Sequence, residues 1–199
     1  NFIFSNQTHS LNVHIASYQD KNRGLENPLP YDEIDALITD EKELALVIVH
    51  ADCVPILMVD PENKIIGAAH AGWKGSAGNI LQVLVDNFIN HYGSKAENLL
   101  AAIGPCIGGC CYEVGADVAN QFRYLQEETN DKIIIPQKGN KFLLNLPQAN
   151  RRHLLNAGLQ NKNIHLSGLC TQCYNDLFFS HRQQEGKRGL LASIIQIKA

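Results

Sequence analysis

The chain has 199 residues, of which 45% are hydrophobic and 19% charged, with a formal net charge of −3. That length and composition suit an ordinary globular protein with a sizeable core. A mildly acidic chain with interspersed charges has no electrostatic footprint for nucleic acid or an anionic membrane surface, and no apolar run reaches the roughly 18 residues of a membrane span. Six cysteines, at 53, 106, 110, 111, 170 and 173, are too sparse for a disulfide-stapled secreted scaffold. The adjacent pair Cys110-Cys111 suits a reduced chain, so a cytoplasmic protein is expected. The chain opens at Asn1 without Met and runs straight into strand-like Phe2-Ile3-Phe4, which predicts that it begins inside a longer gene product.

In chain order, Leu11, Val13 and Ile15 alternate and predict a half-buried strand behind a loop that holds His9. Leu44 to Val49 and Pro55 to Val59 are continuous apolar runs, the pattern of strands buried on both faces, separated by His50-Ala51-Asp52-Cys53-Val54. Asp60-Pro61-Glu62-Asn63 reads as a turn and Lys64 to His70 as another strand. Ser76 to Tyr92 is the clearest helix, with Ile80, Leu84 and Phe88 in one row, Leu81, Val85 and Ile89 in the next, and Gly93 as its C′ residue. Leu99 to Ile103 predicts a strand entering a loop rich in Gly and Cys, Val114 to Leu125 a second helix, and Phe142, Leu144 and Leu146 a further strand. Pro147 opens a third helix that closes at Gly158, and strands at 163–168 and 189–197 finish the chain. Without repeats, low-complexity tracts or linkers, the pattern predicts one compact α+β domain over residues 1–199, with mixed β-sheets flanked by helices.

Zinc prefers imidazole nitrogen and thiolate sulfur, and a catalytic zinc keeps three protein ligands and one open position. The Cys and His that interrupt buried strands are the candidates. Cys53 lies in Ala51-Asp52-Cys53-Val54-Pro55, His70 in His70-Ala71-Gly72-Trp73-Lys74-Gly75, and His9 in Gln7-Thr8-His9-Ser10. Their spacing matches no short zinc-finger pattern. By spacing alone, a small buried hydrophobe at Cys53 and ordinary loop histidines are the simpler reading.

Four motifs alter that weighting: Ala51-Asp52-Cys53-Val54-Pro55; His70-Ala71-Gly72-Trp73-Lys74-Gly75; Gly104-Pro105-Cys106-Ile107-Gly108 with Cys111-Tyr112-Glu113-Val114-Gly115; and Phe178-Phe179-Ser180-His181-Arg182. In this order they resemble the YfiH family, also called the laccase-domain or purine nucleoside phosphorylase family, from Gln7 to the C-terminus. The resemblance implies zinc at His9, Cys53 and His70, with copper an opportunistic occupant of the same ligands. It also implies phosphorolysis of adenosine, inosine and methylthioadenosine, and deamination of adenosine, so that a purine nucleoside and phosphate are the expected partners. Arg182 resembles the family arginine that reaches the site. Lys74 stands where Arg often follows His-Ala-Gly-Trp, which keeps a cation for phosphate and loses the bidentate fork. Asp52, beside Cys53, is expected to support the metal or act as general base, because ligating histidines usually donate their free N–H to such an acceptor. His50 stands where the family commonly has Thr; it is either a competing ligand or, pointed elsewhere by the strand end, a solvent-facing or supporting residue.

The same residues allow other readings. One is a hydrolase editing cell-wall precursors, with Cys53 as nucleophile beside His70. A second is copper-dependent oxidation of phenols, disfavoured because a type 1 site plus a trinuclear cluster needs more histidines than the eight present. A third is a metal-dependent interaction module without turnover. Cys170-Thr171-Gln172-Cys173 reads as a metal or redox pair, and with Cys110 and Cys111 as a four-cysteine zinc site, although unpaired structural or edge cysteines are the expectation. Tyr112 and Glu113 are expected at a helix start, and His14, His91, His153 and His165 at the surface.

Overall fold

Two apolar runs flanking Cys53 supply the strands on which the fold is built. The computed structural model describes residues 1–22 and 33–198. Its strands are β1 (Phe2–Ile3), β2 (Val13–Ile15), β3 (Ala36–Thr39), β4 (Ala45–His50), β5 (Val54–Asp60), β6 (Ile65–Ala71), β7 (Leu100–Ile103), β8 (Glu113–Gly115), β9 (Ile134–Pro136), β10 (Lys141–Leu144), β11 (Ile164–Leu166) and β12 (Leu191–Gln196). The α-helices are α1 (Trp73–Ala77), α2 (Ile80–Tyr92), α3 (Ala116–Ala119), α4 (Arg123–Glu127) and α5 (Leu146–Asn156).

A mixed six-stranded sheet, ordered β11-β7-β5-β6-β3-β2, forms the middle layer. Alternation along β5 shows why its run is apolar throughout. Ile56 and Met58 enter the core shared with Leu84 and Phe88 of α2 and Leu154 of α5. Leu57 and Val59 pack into a second core with Leu46 and Ile48 of β4. Strand β4 belongs to a separate three-stranded sheet, β1-β4-β12, on the far side. A sheet covered on both faces keeps its central strands apolar except near their ends, where Asp60 and His70 stand. A small antiparallel sheet, β8-β10-β9, completes this α+β fold. No helix among the described residues is long and apolar enough to cross a membrane.

Several boundaries differ from the sequence reading, each for a local reason. The helix expected from Ser76 breaks at Asn79, which takes φ 60 and caps α2 by accepting the Gln82 N–H at 3.1 Å. Gly93 closes α2 at φ 71, as expected. Val114 pairs with Phe142 in β8 instead of starting a helix, and the rest of that segment divides into α3, a 3₁₀ turn and α4. Leu146 joins α5 because Asn145 caps it, accepting the Gln148 N–H at 3.3 Å. Strand β3 was not anticipated, and Ile15 on edge strand β2 is exposed.

Gly67 in β6 lies under α2, where an added Cβ would sit 2.9 Å from Phe88 Cε2 and 3.3 Å from Leu84 Cδ1. Gly67→Ala is expected to destabilise the protein by about 1–3 kcal/mol through overpacking. Urea titration should show a lower midpoint at unchanged slope; an unaltered midpoint would mean that the sheet and α2 yield at no cost.

Candidate metal centre

The centre is assembled from three segments. Antiparallel pairing sets Val54 opposite Ala71 and Pro55 opposite His70, so Cys53 at the mouth of β5 meets the last residues of β6. His9 arrives on a loop and holds φ 65. The ligand atoms of His9, Cys53 and His70 all lie within 4.8 Å of one another, and the two imidazoles stack with centroids 5.0 Å apart. Gly72 leaves the space they occupy: a Cβ there would fall 2.5 Å from His9 Nδ1 and 3.1 Å from Cys53 Sγ.

Asp35, fully buried, holds this arrangement. Its carboxylate accepts main-chain N–H bonds from Thr8, His9 and Ser10 at 3.1, 3.1 and 2.7 Å, and lies 2.8 Å from His70 Nδ1. The bond orients the His70 ring with Nε2 left for the centre, the usual arrangement of a ligating histidine. Burial alone would raise the Asp35 carboxyl, but hydrogen bonds from His70 and Ser10 outweigh it and hold the group below the ordinary carboxylate range. Burial likewise works to lower His70, and Asp35 with the Cys53 sulfur overcomes it and pushes the imidazole up to about 9. His9 is lowered by burial and by the charge of His70. Two imidazoles and one thiolate, one imidazole already oriented by a carboxylate, fit a zinc or copper ion. Asp35 escaped the sequence reading because it stands alone before a four-residue strand; a carboxylate directly preceding buried Ala36-Leu37-Ile38 was the available signal.

The other expected residues divide. Asp52, at φ 83, does not bond a histidine: Oδ1 accepts the Thr171 hydroxyl at 2.6 Å and Oδ2 the Arg182 main-chain N–H at 2.7 Å. The acceptor expected at Asp52 is therefore Asp35. Arg182 reaches the site, its guanidinium 5.3 Å from the Tyr112 ring centroid and its Nη1 donating to the Glu113 carbonyl at 3.0 Å. Lys74 is exposed on α1 with Nζ 5.8 Å from the Trp73 ring, and is not among the residues lining the cavity over the centre. That cavity has a volume of about 520 Å³ and is walled by Cys53, His70, Tyr112, His181, Arg182 and Arg188 among others. Arg188, which follows Lys187 and belongs to none of the four motifs, has a buried Nε without a hydrogen-bond partner.

The sequence matches the family model described as multi-copper polyphenol oxidoreductase laccase over residues 1–198. The chain belongs to this laccase family. Among its relatives, the purine nucleoside phosphorylase YlmD of Bacillus subtilis is 35% identical over 99% of this chain and 71% of that protein. Adenosine deaminase RL5, from an unknown prokaryotic organism, is 33% identical over 91% of this chain and 69% of that protein. The crystal structure of the hypothetical protein YfiH of Bacillus licheniformis superposes with a TM-score of 0.95 at 39% identity, covering 99% of this chain and 74% of that one. These likenesses bear out the YfiH resemblance and the α+β fold.

In this laccase-family chain, His50 is neither at the centre nor in solvent. It is 4% exposed, and its Nε2 lies 3.0 Å from Ser193 Oγ because β4 pairs with β12. His153 is also buried rather than on the surface, with Nε2 2.8 Å from the Ser76 carbonyl between α5 and α1. Tyr112 and Glu113 precede and open strand β8 rather than a helix. Cys110, Cys111, Cys170 and Cys173 are gathered into one group rather than dispersed along edges.

Asp35→Asn should weaken metal retention roughly 10–100-fold, the usual cost of losing a carboxylate behind a ligating histidine; competition with a chelator measures this, and unchanged retention would contradict the orienting role. Burial, with the charge of His70, pushes His50 down to about 4, so the folded state favours its neutral form. Its contribution is complete above pH 6.5, the ordinary imidazole value, and is lost as pH falls toward 4. Thermal melts from pH 7.5 to 4.5 should show a steeper acid loss in the parent than in His50→Gln, and parallel curves would refute it.

Proposed function

We propose that this chain is a zinc-dependent purine nucleoside phosphorylase, cleaving adenosine, inosine and methylthioadenosine with phosphate, and that it also deaminates adenosine. The observation that carries the reading is the convergence of His9, Cys53 and His70 on the wall of a cavity that also presents Arg182 and Arg188. The names of the relatives YlmD and RL5 support it. A cavity of about 520 Å³ lies within the range of small-molecule sites, roughly 300–1,000 Å³. Trp73, Ile107, Leu146 and Leu190 give it apolar surface for a purine.

A zinc ion held by His9, Cys53 and His70 would supply Lewis acidity at neutral pH. The chain's own residues bind and orient. Phosphate needs fixed cationic donors, and Arg182 is held for this by the Glu113 carbonyl and, through its main chain, by Asp52. Arg188 adds a second guanidinium to the wall of the same cavity. Asp52 acts by positioning the Arg182 segment. Lys74 contributes charge without lining the cavity, and the influence of that charge reaches His9. Six free thiols fit a reducing cytoplasm. Phenol oxidation by a multicopper cluster is disfavoured because the groups of metal-ligating side chains among the described residues contain two histidines in all.

The purified protein given inosine and phosphate should release hypoxanthine in a phosphate-dependent manner, and adenosine without phosphate should yield inosine. Cys53→Ala should lower both rates by roughly 100-fold or more, since disturbing groups behind a metal's ligands already costs 10–100-fold. Parental turnover by Cys53→Ala would sink the proposal.

A further inference from the structure

The four-cysteine group lies apart from the centre, and none of its members lines the 520 Å³ cavity. Cys110 and Cys111 sit in a tight turn closed by the Cys111 and Tyr112 N–H groups, both donating to the Gly108 carbonyl at 3.0 Å. Cys170 and Cys173 begin the turn-rich segment that carries Arg182, and a single bridge between Cys106 and Cys170 joins the two loops. The turn at 109–111 lets two consecutive side chains face the same way, which an extended strand would forbid. Cys173 Sγ lies 3.5 Å from Cys110 Sγ and 3.4 Å from Cys111 Sγ, and all four sulfurs are within 4.8 Å of one another. Four thiolates around zinc at about 2.3 Å stand roughly 3.8 Å apart, in the middle of these separations. The Gly108 N–H donates to Cys170 Sγ at 3.2 Å, as main-chain donors do around metal-bound sulfur.

Disulfides account for the group less well. All four cysteines are free, and Cys173, nearly equidistant from Cys110 and Cys111, can pair with only one of them.

We propose that Cys110, Cys111, Cys170 and Cys173 form a second, structural zinc site of four thiolates, which clamps the Arg182-bearing segment to the loop that presents Tyr112. Closed four-cysteine sites contribute folding energy and leave no position open for substrate. The need for a clamp is visible in the segment itself. Between β11 and β12 it contains turns and no regular strand or helix, and it exposes Leu177, Phe179 and Tyr174.

Metal analysis of protein purified under reducing conditions tests this. The Cys53→Ala protein leaves the four cysteines intact and should retain about one zinc per chain. Cobalt in that same protein should give intense tetrahedral d–d bands with sulfur-to-metal charge transfer. A Cys110→Ser/Cys173→Ser double variant should lose about one zinc relative to the parent and be cleaved more readily by protease within residues 167–190. A metal-free Cys53→Ala protein, a cobalt spectrum without thiolate bands, or equal zinc in the parent and the double variant would each overturn the site. These readouts do not involve nucleoside turnover, so their failure is separate from failure of the phosphorylase reading.

Discussion

A buried carboxylate is tolerated only when its charge is fully compensated, and Asp35 meets that condition in a way that dictates the site. Three consecutive main-chain N–H groups and one imidazole converge on it. The N–H groups come from the His9 loop, so the left-handed conformation of His9 is sustained by the same carboxylate that orients His70. Strand pairing supplies the rest: β3 runs antiparallel to β6, and the His70 N–H donates to the Asp35 carbonyl at 2.7 Å. Side chain and main chain of one residue therefore fix the ring and the backbone of one histidine, and the side chain places the other.

The third candidate ligand depends on a change of layer. Strand β4 lies in the three-stranded sheet and β5 in the six-stranded sheet, so residues 51–53 must carry the chain from one to the other. A crossing this short needs a residue in the left-handed region, and Asp52 takes it at φ 83. Cys53 is thereby delivered to the gap between sheets, beside His70. Gln7 closes the same gap from the other side, where its amide bonds both main-chain groups of Val49 at 2.7 and 2.9 Å, continuing the pairing that β1 begins on β4. Polar residues interrupt the apolar runs here because this is where the chain leaves its hydrophobic environment.

What the sequence revealed and what it hid follow from range. Strands β4, β5 and β6 were legible because burial on both faces makes them uniformly apolar, and α2 was legible because its rows repeat over three turns. Strand β3 was not, since four buried residues after a lone Asp carry too little pattern. The break at Asn79 was hidden because the apolar spacing continues across it, whereas the cap is a single side-chain bond. The candidate ligands were even less readable from spacing: His9, Cys53 and His70 meet through sheet pairing and through Asp35, whose one local signal is its place before buried Ala36-Leu37-Ile38. The family resemblance implies all three, and Asp35 holds the two histidines. His153 belongs to no motif, which predicts a surface position, yet it occupies the buried face of α5.

The two walls of the cavity are built on different physics. The wall with Cys53 and His70 rests on paired strands with cores on both sides, the high-stability end of a protein's local energetics, and the His9 loop is tied to it through Asp35. The wall with His181, Arg182 and Arg188 belongs to a segment ordered by individual polar contacts. The Ser180 N–H donates to Gln184 Oε1 at 3.2 Å, and the Gln183 N–H donates to Ser180 Oγ at 3.2 Å. Asp52 is the joint between them, since one carboxylate in the sheet crossing accepts from both Thr171 and Arg182. Donors fixed in place suit a metal, and the Glu113 carbonyl with Asp52 likewise fixes Arg182, as the proposed phosphate site requires. Linking the turn-built wall to the strand-built one through a buried acceptor keeps Arg182 in register with the centre, where its own segment has no regular strand or helix to hold it.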